Sequence, residues 1–511
     1  MSNPSTHVHD AIVVGAGFGG MGAAIQLKRN GYDDLVILER ESDLGGTWHV
    51  NRYPGLAVDI PSSTYSYSFE PNPHWTRLFA PGSELKAYAA HVADTYGLRE
   101  LMRFDTVVES ATWDDDAQVW QVDVADGEPF RARFLLTATG FLSQPRLPDI
   151  AGIESFTGAV VHTTRWNDEV ELSGKRVGII GTGATAVQLI PELADVAADL
   201  TVFQRTPIWV TAKPDLPVPA LVRKVFSALP LTQRAVRLGG TALLEALMVS
   251  AVLHYDQVPL VNAAAERLAR LHLRQVKDPD TRARLTPDYT FGCKRPTFSN
   301  TYYPTFNREH VHLETHSIGH VDAHGIVTAD GSRTDLDVLV LATGFDLWEA
   351  NFPALRIVGR GGRDLGQWWR ERRFQAYEGV AVPGFPNLVS LNSPYSYSGL
   401  SYFTTIESQM RHMDRLLTEL RRRRATSFEV SESANAEFLD DMTARVGHSI
   451  FTLGSCAGAN SYYFNQHGEA TLLRPTSTRH AFRAARTFPL SDYDFGGLPR
   501  TEQEATLQDA D

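Results

Sequence analysis

Residues 11–14 of the chain (Ala-Ile-Val-Val) are apolar at every position, where an amphipathic strand would alternate. Such a run predicts a central parallel strand buried on both faces. Gly15-Ala16-Gly17-Phe18-Gly19-Gly20 follows at once. Residues 21–28 then carry apolar side chains at helical spacing, and a second apolar run, 35–38, ends at Glu39. The same order returns later in the chain. A strand over 176–180 leads into Gly181-Thr182-Gly183-Ala184-Thr185-Ala186, a helix to Leu193 and a strand over 200–203. Two more apolar runs, 134–138 and 338–342, end in Thr139-Gly140-Phe141 and Thr343-Gly344-Phe345-Asp346. Between about 212 and 290 the pattern changes to long helical stretches rich in Ala, Leu and Arg.

A strand running into GxGxxG and a helix brings backbone N–H groups and a helix N-terminus up to a pyrophosphate. Glu39, 24 residues after Gly15, can accept hydrogen bonds from a ribose diol, which suits the first loop to FAD. In the second unit no acid ends the strand, and Gln204-Arg205-Thr206 takes its place. An acid would repel a 2′-phosphate, whereas Arg205 can grip one, so this loop is read as binding NADPH rather than NADH. The predicted fold class is α/β, with two Rossmann-like dinucleotide-binding domains. The NADPH domain is inserted in the FAD domain and carries a helical excursion. The expected boundaries are 1–145 and 351–499 for the FAD domain, 146–211 and 291–350 for the NADPH domain and 212–290 for the helices. A disordered acidic tail is expected at 500–511.

A length of 511 residues calls for more than one core. The net charge of −12 argues against a nucleic-acid binder. The run Arg421 to Arg424 reads as a solvated helix end. The only two cysteines, Cys293 and Cys456, lie far apart in sequence. They exclude a CxxC redox pair or a Cys-rich metal site, and they fit a reducing cytoplasm. The N-terminus has no signal-peptide pattern. The most apolar stretch, 238–253, contains Glu245 and falls short of a membrane span, so it reads as a buried or amphipathic helix, with weak membrane contact as the lesser alternative.

Two longer motifs narrow the chemistry. Phe156-Thr157-Gly158-Ala159-Val160-Val161-His162-Thr163-Thr164-Arg165-Trp166-Asn167 resembles the FxGxxxHxxxW fingerprint of the Baeyer–Villiger monooxygenases, with Asn167 where Pro or Asp is usual. Residues 45–59, from Gly45-Gly46-Thr47-Trp48 through Tyr53-Pro54-Gly55 to Asp59, are similar to that family's GGxWxxxxYPGxxxD. Residues 202–207, 293–295 and 406–409 add to the resemblance. It implies FAD, NADPH and O2, a C4a-peroxyflavin, and conversion of a small hydrophobic ketone to an ester or lactone, with sulfoxidation as a side activity. It also implies that Arg295 stabilises the anionic oxygen and that Asp59 is its partner. The resemblance further implies that Lys294 joins Arg205 and Thr206 at the 2′-phosphate. His162 and Trp166 are expected to anchor a linker between the domains, and His162 is not expected to act as a base. Tyr462 stands where the family often has a tryptophan over the nicotinamide ribose, and Val58 where it often has a cysteine.

The residues expected to contact one or other dinucleotide are Gly15, Gly17, Gly20, Glu39, Arg40, Gly46, Thr47, Trp48, His49, Val50, Tyr65, Val108, Thr182, Gly183, Ala184, Thr185, Ala186, Gln188, Arg205, Thr206, Lys294 and Tyr462, with Asp59 and Arg295 counted among them. No metal is expected. The loops at 391–401 and the helical excursion are expected to line the substrate cavity. The main alternative is an N- or S-oxygenating flavin monooxygenase; a non-catalytic nucleotide sensor would bind FAD without oxidising NADPH.

Overall fold

The computed structural model describes residues 7–397 and 399–497, apart from the side chain of Met248. The tail expected at 500–511 lies outside the described residues. Strand Val8–Val14 is central to an eight-stranded sheet, paired in parallel with Leu35–Leu38 and Phe130–Thr137. All four positions of Leu35–Leu38 are buried, as its unbroken apolar run requires. Phe130–Thr137 pairs antiparallel with Val119–Val124 at its start and parallel with Leu388–Ser390 at its end. The last strand comes from the far end of the chain, so the first sheet is completed after the second has been built.

The second sheet is wholly parallel, in the order Val311–Glu314, Asp199–Phe203, Arg176–Ile180, Val338–Leu341, Ala159–His162. Its inner face packs Val177, Val202, Leu313 and Val340 against the helix Ala184–Val196 and against Trp166. The chain crosses between the sheets twice, through the two Thr-Gly-Phe segments. The crossings pair with each other: Arg146 N donates to Gly344 O at 2.9 Å and Asp346 N to Gln144 O at 2.9 Å.

The stretch after the second glycine loop is helical as its periodicity predicts, with helices Ala220–Ala228, Pro230–Leu244, Ser250–Leu253, Pro259–Leu273 and Pro279–Arg284. A π-helical turn, Glu245–Val249, interrupts the most apolar part. That part is not a core helix: Leu238, Leu243 and Leu247 are exposed.

The two cysteines are bonded to each other across 163 positions, with their Cα atoms 5.2 Å apart. Sequence distance said nothing about this, because the tertiary fold brings residue 293 to the loop at 456. The pairing corrects the use of these cysteines as a sign of a reducing compartment, where such bonds are rare.

Candidate functional site

Both glycine loops open into one cleft of ≈ 1550 Å³. Gly15 and Gly181 have φ of +108° and +116°, and a Cβ on either would lie 2.6 Å or 2.3 Å from a carbonyl oxygen, of Ala138 or Ala342. Each loop therefore crosses the end of a neighbouring strand at a distance only glycine allows. Behind it, helix Phe18–Arg29 or Ala184–Val196 points its N-terminus at the cleft. This is the geometry a pyrophosphate needs.

Glu39 sits beside the first loop, with Oε2 accepting from Ala16 N at 2.7 Å and Oε1 from Glu41 N at 3.0 Å. Burial raises its pKa, and the two N–H bonds oppose the shift. The carboxylate lines the cleft, where a ribose diol can reach its remaining lone pairs. At the second loop Arg205 and Lys294 make no ion pair among the described residues. Burial, and then the Arg205 charge, lower the Lys294 pKa to about 8. Two neighbouring cations without an acid form a cradle for a dianion such as a 2′-phosphate. The residues present thus fit FAD at the first loop and NADPH at the second.

Where the domains face each other, Arg295 Nε donates to Asp59 Oδ2 at 2.8 Å and its Nη1 donates to Tyr397 Oη at 2.9 Å. Burial is the largest single influence and works against the Arg295 charge, but Asp59 and the nearby phenol oxygens together outweigh it. The guanidinium pKa is held well above its usual value. Asp59 closes a loop that starts at the flavin side. Tyr53 Oη donates to Gln188 Oε1 at 3.0 Å, Gln188 Nε2 donates to Ala57 O at 2.9 Å, and a Cβ on Gly55 would lie 2.8 Å from Gln188 O. The Tyr-Pro-Gly segment is thereby pressed onto the helix of the second loop.

Of the residues singled out in the sequence, Gly15, Gly17, Glu39, Arg40, Gly46, Thr47, Trp48, Val50, Asp59, Tyr65 and Val108 line the cleft. So do Thr182, Gly183, Ala184, Thr185, Gln188, Arg205, Thr206, Lys294, Arg295 and Tyr462. Three do not. Gly20 lies behind the first loop, where a Cβ would come within 1.8 Å of Gly15 O, so its smallness serves helix–strand packing. Ala186 is fully buried in the core of the second domain. His49 is turned toward Lys86 and Asp43, and burial and the Lys86 charge lower its pKa.

His162 lies at the crossings, Nε2 3.4 Å from Thr343 Oγ1, and burial lowers its pKa so that it stays neutral. The Tyr462 carbonyl accepts from Trp348 Nε1 at 2.9 Å, and burial raises the pKa of its phenol, with the nearby Arg295 charge opposing the shift.

Three contributors escaped the sequence. Tyr397 lies in the loop 391–401 expected at the cavity, but as an aromatic in a Ser-rich stretch it was not itself singled out. Asn460 Nδ2 donates to Thr206 Oγ1 at 2.8 Å, tying the C-terminal loop to the second nucleotide site. Arg165, inside the His-to-Trp fingerprint, makes a two-pronged bond to Glu41 at 2.8 Å and 3.0 Å, linking the two domains beside Glu39.

Comparison with known proteins gives the same picture. The family described as "Pyridine nucleotide-disulphide oxidoreductase" matches residues 12–238, which hold both glycine loops. A Baeyer–Villiger monooxygenase of Pseudomonas aeruginosa is 37% identical over 95% of this chain and 91% of its own length. One from Streptomyces coelicolor is 36% identical over 95% and 92%. Among solved structures, OTEMO in complex with FAD and NADP superposes with a TM-score of 0.84 at 28% identity, covering 96% of this chain and 99% of that one.

Proposed function

This chain belongs to the Baeyer–Villiger monooxygenase family, and from that membership and the geometry of the cleft we infer an FAD- and NADPH-dependent enzyme that converts a ketone and O2 to an ester or lactone. Ketone, O2, NADPH and a proton give ester, NADP+ and water, so one oxygen atom enters the C–C bond and the other leaves as water. When bound, the two cofactors supply the hydride and the activated oxygen.

The protein's part is binding, orientation and electrostatics. Arg205 and Lys294 hold the 2′-phosphate by charge, and Glu39 holds the adenosine ribose of FAD. Arg295 supplies a cation that cannot lose its proton, aimed at the place where the attacked carbonyl oxygen becomes negative. Asp59 and Tyr397 fix two sides of the guanidinium and leave the rest free to bond that oxygen. The pair also avoids an uncompensated buried charge. His162 remains a neutral anchor at the crossing segments, and Tyr462 closes over the nicotinamide end.

The substrate is a hydrophobic ketone. Phe141, Leu347, Leu400, Tyr402 and Phe464, which line the same cleft as Arg295, support that class, since they offer largely apolar area and no further charge. The membership and the Arg295–Asp59 pair favour this over N- or S-oxygenation, which needs no fixed cation beside the oxygen. A cytoplasmic location remains an inference without support from the cysteines. The observation that carries the assignment is the Arg295 guanidinium, held at 2.8 Å by Asp59 in the cleft shared by both nucleotide loops.

The test is product analysis with the FAD-loaded protein, NADPH and a panel of cyclic and linear ketones, with a thioether alongside. Esters or lactones are expected. NADPH consumption that yields hydrogen peroxide alone with every ketone overturns the assignment.

A further inference from the structure

The helices Ala220–Ala228 and Pro230–Leu244 have two unlike faces. On the inner face, Gln233 Nε2 donates to Asn72 O at 2.6 Å and Arg237 Nη1 to Ser66 O at 2.7 Å. A Cβ on Gly240 would lie 3.4 Å from Thr64. Just beyond, Glu245 accepts from Thr478 N and Oγ1 at 2.7 Å and 2.6 Å. These bonds hold the helix pair over the segment that runs on from Asp59 and Tyr65.

The outer face is apolar. Leu221, Leu229, Leu231, Leu238 and Leu243 are between 59% and 73% exposed. Leu231, Ala235, Leu238 and Ala242 are all exposed at i, i+4, i+7 and i+11, a continuous helical stripe. Among the described residues, eight of the eighteen large hydrophobic side chains that stand exposed fall within residues 221–247. Scattered singly they would need no explanation, but such a concentration marks an interaction site.

The charge pattern names the partner. The chain has 60 acidic residues, yet none lies between Asp215 and Glu245, where Arg223, Lys224, Arg234 and Arg237 stand. Lys224 and Arg234 are exposed and make no ion pair among the described residues. An apolar stripe edged with unpaired cations, on a protein of net charge −12, complements an anionic lipid surface.

We propose that the outer face of this helix pair docks on an anionic phospholipid bilayer, with the leucines at the headgroup–acyl boundary and Lys224 and Arg234 among the phosphates. Although Pro230–Leu253 is long and apolar enough to span a membrane, its inner-face bonds to Asn72, Ser66 and Thr478 keep it on the protein surface. A second copy fits less well, because a two-fold interface would set the same cations against each other. Docked this way, the helix pair stands between the lipid surface and the segment of Thr64, Ser66 and Asn72 on which its inner face rests. The docking itself does not depend on the ketone assignment.

Co-sedimentation of the full FAD-loaded enzyme with phosphatidylcholine vesicles, and with vesicles containing phosphatidylglycerol, tests this. Roughly tenfold or stronger binding to the anionic vesicles is expected, lost on raising salt to about 0.5 M. Leu231→Asp with Leu238→Asp should abolish it. Lys224→Glu with Arg234→Glu should remove the preference for anionic lipid. In both variants FAD content and turnover of a water-soluble ketone should match the wild type. A wild type that stays in the supernatant with anionic vesicles overturns the proposal, as does vesicle binding that neither variant changes. A wild-type dimer that Leu238→Asp dissociates, without vesicle binding, also overturns it and assigns the face to a second copy.

Discussion

Arg295 and Asp59 stand 236 positions apart in the chain and 2.8 Å apart in space, Nε to Oδ2. The guanidinium spends Nε on Asp59 and one Nη1 proton on Tyr397, so its plane is fixed from two directions. A lysine at 295 would keep the charge but could not bond both partners while also facing the cleft. Arg295→Lys should therefore lower product formation by about 10²-fold, the usual loss for a charge-stabilising donor. Reduction of the flavin by NADPH should stay within a few-fold. Tyr397→Phe, which removes one positioning contact, should cost roughly tenfold. Stopped-flow absorbance and ester yield read the two steps separately. Ester yield unchanged in Arg295→Lys would remove the oxygenation role.

Local features of this site could be read from the residues. Gly15 and Gly181 follow apolar runs directly, and the strand–loop–helix order is a matter of neighbours in sequence. The same locality misled at Gly20 and Ala186, whose motif positions serve packing behind the loop. Contacts at long separation were of another kind. The Arg295–Asp59 pair was expected only through family resemblance. Tyr397, Asn460 and the Arg165–Glu41 bond depend on how two sheets and a C-terminal loop meet, which no periodicity encodes. The helical excursion was legible as helix, but periodicity left open whether its apolar stretch is buried or amphipathic; the leucines stand exposed while Gln233 on the other side is buried.

Lys294 gives a pH signature. Its ammonium, with a pKa lowered to about 8 by burial and by Arg205, is present below that pH and lost above it. If it and Arg205 hold the 2′-phosphate, the KM for NADPH should rise between pH 7.5 and 9, while the KM for NADH, which lacks that phosphate, stays flat. Arg205→Ala should raise the NADPH KM by about 10- to 100-fold at pH 7, with little change in kcat. Parallel pH profiles for the two nucleotides would refute the cradle.

His412 predicts how stability depends on acid. It is buried, with Nε2 2.7 Å from Tyr493 Oη and its ring stacked on Phe488. Burial, then the charges of Arg474 and Arg415, lower its pKa to about 3. The unfolded chain binds this proton near pH 6.5 and the folded one does not. Stability is thus full above pH 6.5 and falls as pH drops toward 3, by up to about 1.4 kcal/mol per pH unit. His412→Gln should be less stable at pH 7 but show a shallower acid slope. Denaturant midpoints followed by flavin fluorescence at pH 6.5 and 5.0 give the comparison, and equal slopes in both proteins would contradict it.

The Cys293–Cys456 bond ties the segment carrying Lys294 and Arg295 to the loop carrying Asn460 and Tyr462. Closing 163 residues removes much freedom from the unfolded chain, so its contribution should reach about 2–4 kcal/mol, with loop-entropy arguments setting a limit near 5. It should act on function as well, because both ends of the tether carry residues of the nucleotide site. Without the bond, Asn460 is held to Thr206 by one hydrogen bond alone, and the NADPH KM should rise several-fold while the flavin stays bound. Treatment with a reductant should lower the thermal midpoint of the wild type toward that of Cys293→Ser/Cys456→Ser and leave the double variant unmoved. Protein purified without reductant should show no free thiol after denaturation in guanidinium. Two free thiols, and a melting curve that already matches the double variant, would mean that the two chain segments meet without the covalent link and that packing alone positions Tyr462.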